Sequence, residues 1–282
     1  MTSTVTTIEF KKLAIYYGWP SSVNASYSVV GAINVFKEYD LLVFGAGLED
    51  PLHPDHTNTI NIIAGLTNTK VFGYIDSTLP ITAIQSNIDQ WTVMGVAGIF
   101  LDKFGFDFGL TRVIQNTIVD YVHGKNMFVF VNAWNPDDAF APSGDLVTHL
   151  GTDDWYLAES YQIVNDSYES VDEWKTRSEK IISYRNATDT KIAGITTTTS
   201  GVYDQNKFDY AYFSAMLYGF NAFGWGEQYF SASSAQLPFR PRKNFCGTKY
   251  VSNITEKNGK MFVFTNTGFE VNTVTRTVDY LI

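Results

Sequence analysis

The chain has 282 residues, of which 45% are hydrophobic and 17% charged, and it carries a net charge of -9 at neutral pH. That composition excludes an intrinsically disordered chain and supplies the apolar residues for a large core. The acidic balance argues against nucleic acid and anionic membranes as partners, and no apolar run approaches the roughly 18 residues needed to cross a bilayer.

The opening residues 1–7 are polar, with neither the basic nor the apolar region of a secretory signal. Eight apolar runs of strand length then follow, at residues 13–19, 41–47, 70–76, 96–102, 127–132, 155–159, 191–196 and 221–227. Near-continuous hydrophobic runs are what strands buried on both faces of a parallel sheet look like. Between them, residues 59–66, 85–95, 110–123 and 207–218 read as helices, with apolar residues near the 3.6-residue period and Gly124 and Gly219 as stops for the last two. Eight strands alternating with helices predict an α/β fold, a (β/α)8 TIM barrel spanning residues 1–238. No glycine-rich phosphate loop follows the first strand, where Tyr17-Gly18-Trp19-Pro20 stands instead. In the tail, Asn258-Gly259 between two alternating runs predicts a hairpin, and residues 274–281 add a further strand. Residues 239–282 are therefore expected to form a small antiparallel β appendage packed on the barrel. The single cysteine, Cys246, excludes an internal disulfide.

The fourth run ends abruptly on Asp102, which makes it the first residue to suspect of chemistry. Other runs end similarly: Glu49 and Asp50 follow the second, Asp76 the third, Asn132 the fifth, Glu159 the sixth and Glu227 the eighth. In a TIM barrel the C-terminal ends of the strands converge on one face, where active sites are built. Glycoside hydrolysis needs two carboxyl groups across the scissile bond, and an acidic mouth supplies them. Aromatic residues make up 16% of the chain, and Tyr17, Trp19, Tyr74, Trp134, Tyr161 and Trp225 fall at predicted strand ends. Flat rings with a polar edge suit the C–H faces of sugars. A metal site is the weakest alternative. His53 and His56 stand among acids in residues 49–57, but they lack the helical i,i+4 spacing of a zinc-binding pair, and Asp55 reads as a helix cap. No Gly-x-Ser-x-Gly elbow is present, and Cys246 has no histidine near it in sequence.

The series Phe72-Gly73-Tyr74-Ile75-Asp76-Ser77-Thr78, Gly98-Ile99-Phe100-Leu101-Asp102, Val131-Asn132-Ala133-Trp134-Asn135-Pro136 and Ala158-Glu159-Ser160-Tyr161 resembles the order of motifs in spherulin-type and endo-α-1,4-polygalactosaminidase-type glycoside hydrolases. These are TIM-barrel enzymes that cut galactosamine-containing exopolysaccharides, and the resemblance covers roughly residues 10–230. It implies that Asp102 is the catalytic aspartate, Glu159 its glutamate partner and Asn132 a substrate-binding asparagine. One position departs: spherulin-type members carry a second acid directly after the aspartate, where this chain has Lys103. A lysine there is expected to favour the ionised form of Asp102.

The expected reading is thus a glycoside hydrolase acting outside the cell, at a cell surface or on a virion. Its catalytic residues are Asp102 and Glu159, and its substrate-binding residues are Tyr17, Trp19, Asp76, Asn132, Trp134, Tyr161, Trp225 and Glu227. A polysaccharide is the expected partner, with no cofactor, no metal, no nucleic acid and no membrane insertion. The acidic cleft is expected to attract partly deacetylated hexosamine chains and to repel polyuronates. A catalytically silent carbohydrate-binding barrel, such as an adhesin or a viral receptor-binding protein, is the alternative.

Overall fold

The structure, a computed structural model, describes residues 6–7, 10–198, 202–227, 249–250, 254–263 and 268–280. All eight expected strands are present: β1 (Lys11–Tyr16), β2 (Leu41–Phe44), β3 (Lys70–Asp76), β4 (Gly98–Asp102), β5 (Phe128–Asn132), β6 (Trp155–Ala158), β7 (Lys191–Thr198) and β8 (Ala222–Glu227). Each is parallel to its neighbours, and the sheet closes between β8 and β1 into a barrel. The first two strands end earlier than expected, leaving the ladder at Tyr17 and Gly45, where the chain turns toward Pro20 and toward Gly47 at φ 87°.

Around the barrel lie α1 (Val29–Phe36), α2 (His56–Gly65), α3 (Ile81–Met94), α4 (Arg112–His123), α5 (Pro136–Phe140), α6 (Val171–Thr188) and α7 (Gln205–Leu217). The expected helices at 59–66, 85–95, 110–123 and 207–218 correspond to α2, α3, α4 and α7. α1, α5 and α6 were not anticipated. α6 is two-thirds polar, with Trp174, Ser178 and Ile181 buried. Its start is set by Ser170, whose hydroxyl accepts from Glu173 N, and by the acids Asp172 and Glu173 in its first turn.

Alternation along the strands divides the core in two. Leu13, Ile15, Leu41, Val43, Phe72, Phe100, Phe130, Trp155, Leu157, Ala193, Ile195 and Ala222 fill the barrel. Their neighbours, among them Tyr16, Leu42, Ile99, Val129, Tyr156 and Phe223, face the helices. Gly73 permits the closest of these outer contacts, since a Cβ there would sit 2.2 Å from the indole of Trp91. The register places Phe100 opposite both Tyr74 and Phe130, and Asp76 opposite Asp102. Continued toward the strand ends, the inward-facing set reaches Asp76, Asp102, Asn132 and then Glu159.

At the C-terminus, β9 (Thr255–Lys257), β10 (Lys260–Val263), β11 (Phe269–Asn272) and β12 (Thr277–Tyr280) form an antiparallel sheet. Asn258 and Gly259, at φ 54° and 74°, make the expected hairpin turn. The expected strand at 274–281 begins only at Thr277, because the Asn272 side chain accepts from Val274 N and Thr275 N and holds a turn there. The sheet packs on α7, with Phe269 5.2 Å from Phe213. The boundary expected at 238, and Cys246, lie outside the described residues. Among the described residues no helix is long and apolar enough to cross a membrane.

Candidate active site

Three strand ends build one polar centre. Asp102 closes β4, Asn132 closes β5 and Glu159 follows β6 directly. The Asn132 amide nitrogen donates to Asp102 Oδ1 at 3.0 Å and to Glu159 Oε2 at 2.9 Å. Those two oxygens are therefore at most about 6 Å apart, the two bonds laid end to end. The second oxygen of Asp102 accepts a 2.6 Å hydrogen bond from the Tyr74 hydroxyl. Bonds to an ionised acceptor are the strong ones, so both Asp102 oxygens have fixed positions. Tyr17 meets Tyr74 edge to face at 5.6 Å. Burial, followed by the charges of Asp102 and Glu159, pushes the Tyr17 phenol well above its ordinary range. Burial, the hydrogen bond to Asp102 and the charge of Asp102 do the same to Tyr74. Both phenols therefore stay protonated, and Tyr74 remains a donor.

Lys103 is bonded to Asp76, and the charge of Asp102 acts on it only as the weakest of its interactions. Its backbone is left-handed, at φ 54°, and its ammonium donates to Asp76 Oδ2 at 2.6 Å. Asp76 also accepts from the hydroxyl and the N–H of Thr78. Burial pushes the Asp76 carboxyl up, but the bonds from Lys103 and Thr78 outweigh it and hold the group below the usual carboxylate range. Asp76 thus lies beside the centre as an anion already neutralised by a cation.

The expected aromatic wall is reduced to three residues. Trp19 and Trp134 are about half exposed and Tyr17 more than a third, all on loops that follow β1 and β5. Trp19 leans edge-on against His53, and Trp134 has the Arg177 guanidinium 5.2 Å from its ring. Tyr161 is not part of the wall: it is fully buried, accepts from Trp174 Nε1 and pairs with Ser178 behind the strands. Ser160, at φ 48°, breaks the alternation after Glu159 and turns Tyr161 outward. Trp225 is likewise buried, against Phe208 at 5.7 Å, because β8 points Ala222 into the barrel and the odd-numbered residue outward. Glu227 ends β8, and its side chain lies outside the described residues.

The histidine-containing loop is built for structure. His56 Nδ1 lies 2.8 Å from Leu48 O, and His53 Nδ1 accepts from Asp55 N. Asp55 does begin α2, but its carboxylate accepts from Ser21 and Asn58 instead of capping the helix. Among the described residues no three His, Cys, Asp or Glu side chains stand together to hold a metal.

One charged residue that no sequence motif marked also reaches the centre, with a second paired to it. Arg177 on α6 donates to the main-chain carbonyl of Glu159 and forms a 3.7 Å ion pair with Glu169. The loop carrying Glu159 is further pinned by Tyr161 N donating to Ile195 O and by Thr196 donating to Tyr161 O. This pinning accompanies left-handed backbone at Ser160 and Gln162, strain that persists only where surroundings over-determine it.

No family model matches the chain, and no curated protein matches it by sequence. Its fold is similar to that of the glycoside hydrolase domain of PelA from Pseudomonas aeruginosa. The TM-score is 0.52 at 13% identity, over 80% of this chain and 99% of that domain. Weaker likenesses are to a putative lactate oxidase of Pediococcus acidilactici (TM-score 0.48, 11% identity, 80% of this chain and 68% of that one) and to the carboxyl transferase domain of Rhizobium etli pyruvate carboxylase (TM-score 0.49, 11% identity, 77% and 40%). At such identities the likeness is one of fold, the barrel itself.

Proposed function

We propose that the protein is an endo-acting glycoside hydrolase that cleaves a hexosamine-containing, galactosamine-like polysaccharide outside the cell. The observation that carries this reading is the pair of carboxylates, Asp102 and Glu159, bridged by one Asn132 amide at the C-terminal mouth of the barrel. The fold likeness to a glycoside hydrolase domain agrees with it. The bridge keeps the carboxylates close-set, which favours the retaining mechanism, where the two groups stand about 5 Å apart, over the inverting one.

In this mechanism Asp102, with both oxygens fixed by Tyr74 and Asn132, attacks the anomeric carbon as nucleophile. Glu159, exposed at the mouth, gives its proton to the leaving glycosidic oxygen. Water, deprotonated by Glu159, then cleaves the glycosyl ester and regenerates the Asp102 carboxylate. Tyr17, Trp19 and Trp134 supply the sugar-stacking surfaces. The acidic centre and the net charge of -9 favour chains carrying free amines.

The test is release of reducing ends from partly deacetylated α-1,4-polygalactosamine, with a polyuronate as control. Release from the former, falling as salt is raised, is expected. Binding without release would leave a carbohydrate-binding barrel, and turnover of the polyuronate would contradict the substrate class.

A further inference from the structure

The C-terminal sheet packs on α7, outside the barrel, but one of its side chains leads back to the carboxylate centre. In the turn between β11 and β12 the Asn272 side chain accepts from Val274 N and Thr275 N, and Arg276 N donates to Asn272 O at 2.9 Å. Arg276 itself is left-handed, at φ 59°, a conformation that a non-glycine residue keeps only where its surroundings hold it. The barrel's own residues hold it. Its guanidinium lies 5.4 Å from the ring centroids of both Tyr168 and Tyr210. It donates to the Tyr210 hydroxyl at 2.8 Å and to the main-chain carbonyl of Glu169 at 3.1 Å. The planar fork of arginine suits this combination of stacking and two directed bonds, which a lysine would not reproduce.

Glu169 ends the loop that Glu159 begins. Between them Ile163–Val164 pairs antiparallel with Ser167–Tyr168, and Glu169 N donates to Gln162 O at 2.9 Å, so the loop is folded back on itself. The Glu169 carboxylate meets the N–H of Gln162 and pairs with Arg177 on α6, the two charged side chains being only 10% and 13% exposed. Arg177 carries the connection to the mouth. It donates to the Glu159 carbonyl, and its guanidinium lies 5.2 Å from the Trp134 ring. A buried ion pair resists separation, because removing either partner leaves the other charge unmatched. From Arg276 to Glu159 every step is therefore a hydrogen bond or an ion pair.

We infer that the C-terminal sheet is a working part of the active site, in which Arg276 is a positioning residue that acts through Glu169 and Arg177 on Glu159. This rests on the reading of Glu159 as the proton donor. Proton transfer to the leaving oxygen needs the donor within about 2.6–3.2 Å, and a misplacement of about 1 Å can cost about 10²-fold in rate. Without Arg276 the Glu169 main chain loses its tie to the sheet, and Glu159 shifts with it through Arg177. Asn132 and the bonds of Tyr161 to Ile195 and Thr196 hold Glu159 as well, so the loss is partial. Asp102, held by Tyr74 and Asn132, keeps its place. The sheet serves the acid of the pair and not the nucleophile.

The experiment compares Arg276→Ala with the wild-type chain on two substrates, partly deacetylated α-1,4-polygalactosamine and the dinitrophenyl glycoside of a galactosamine oligosaccharide. Dinitrophenolate departs without a proton, so kcat/KM for the glycoside, which reports the first step, does not draw on the acid. For Arg276→Ala we expect kcat/KM to fall about tenfold on the polymer and to stay within about twofold on the glycoside. Glu256→Gln, which cuts another contact of the sheet with α6, to Lys175, should leave both unchanged. Exchange of the Tyr161 and Glu169 amide hydrogens, both bonded in the loop, should quicken about tenfold in Arg276→Ala alone. Equal losses on the two substrates, no loss on the polymer, or unchanged exchange would overturn the inference. A loss in Glu256→Gln matching that in Arg276→Ala would overturn the route through Arg276. If the wild-type chain cleaves neither substrate, the hydrolase reading falls, and the exchange rates alone decide whether the sheet holds the loop.

Discussion

The two halves of the barrel interior are made from the same strands and the same alternation, yet they differ in almost every property. Toward the N-terminal ends, Phe72, Phe100, Phe130 and Trp155 pack edge to face or tilted at 5.3–5.9 Å, all fully buried, and close the lumen. Toward the C-terminal ends the inward positions carry Asp76, Asp102 and Asn132, hydrogen-bonded and partly exposed. Beyond the strands the backbone is left-handed at Lys103 and Ser160. One half is packed for stability, and the other spends stability on holding charges in place. The lesson is that two residues up β4 or β5, from Phe100 to Asp102 or from Phe130 to Asn132, separate scaffold from chemistry.

That contrast can be broken from either side. Phe130→Ala, in the packed half, should cost about 3–5 kcal/mol of stability. At about 2–4 °C per kcal/mol for a chain of this size, thermal denaturation should show a Tm lower by about 10 °C. A loss under about 1 kcal/mol would mean that the lower interior is not the scaffold.

Tyr74→Phe tests the polar half. It removes the donor to Asp102 while keeping the ring against Tyr17, and a bond to a charged acceptor is worth about 1.5–3 kcal/mol. We expect kcat to fall by about 10- to 100-fold. Tm should fall by less than in Phe130→Ala, and a large Tm loss with unchanged kcat would reverse the assignment.

The smallest effect lies at the opposite end of the barrel from the site. His123 closes α4 and its Nε2 lies 3.0 Å from Asp154, whose carboxylate also accepts from Val129 N and Gly151 N. The hydrogen bond to Asp154, opposed by burial, raises the His123 pKa. A raised histidine stabilises the fold fully below its unfolded value of about 6.5, and this is lost as pH rises through the folded value. With the ring more than a third exposed, solvent screening limits the contribution to about 1 kcal/mol or less. His123→Gln should therefore lower Tm by a few degrees below about pH 6.5 and by less above it. A Tm difference growing with pH would contradict the sign.

The same comparison explains what the sequence made legible. Strands buried on both faces announce themselves as apolar runs, and a carboxylate or amide continuing the inward set, as at Asp102 and Asn132, is visible at once. Tyr161 and Trp225 misled because a ring at a strand end has no visible direction. Ser160 breaks the alternation before the first, and the second stands one position off the inward set. The bond of Lys103 to Asp76 was not legible, since adjacency to Asp102 in sequence says nothing about a left-handed backbone. Arg177 and Glu169 lay beyond reach because a polar helix and a loop supply them, with no periodicity to mark either.

The central claim is that Asp102 and Glu159 act as a pair on a glycosidic bond. Its most direct test measures initial hydrolysis rates and oligosaccharide affinity in parallel on the wild-type chain, Asp102→Asn and Glu159→Gln. Each variant keeps the shape and the Asn132 bridge region while losing one ionisable group. Both variants should lose at least about 10²- to 10⁴-fold in rate while binding oligosaccharide within a few-fold of wild type. A rate near wild type in either variant, on a polymer that the wild type cleaves, would contradict the account.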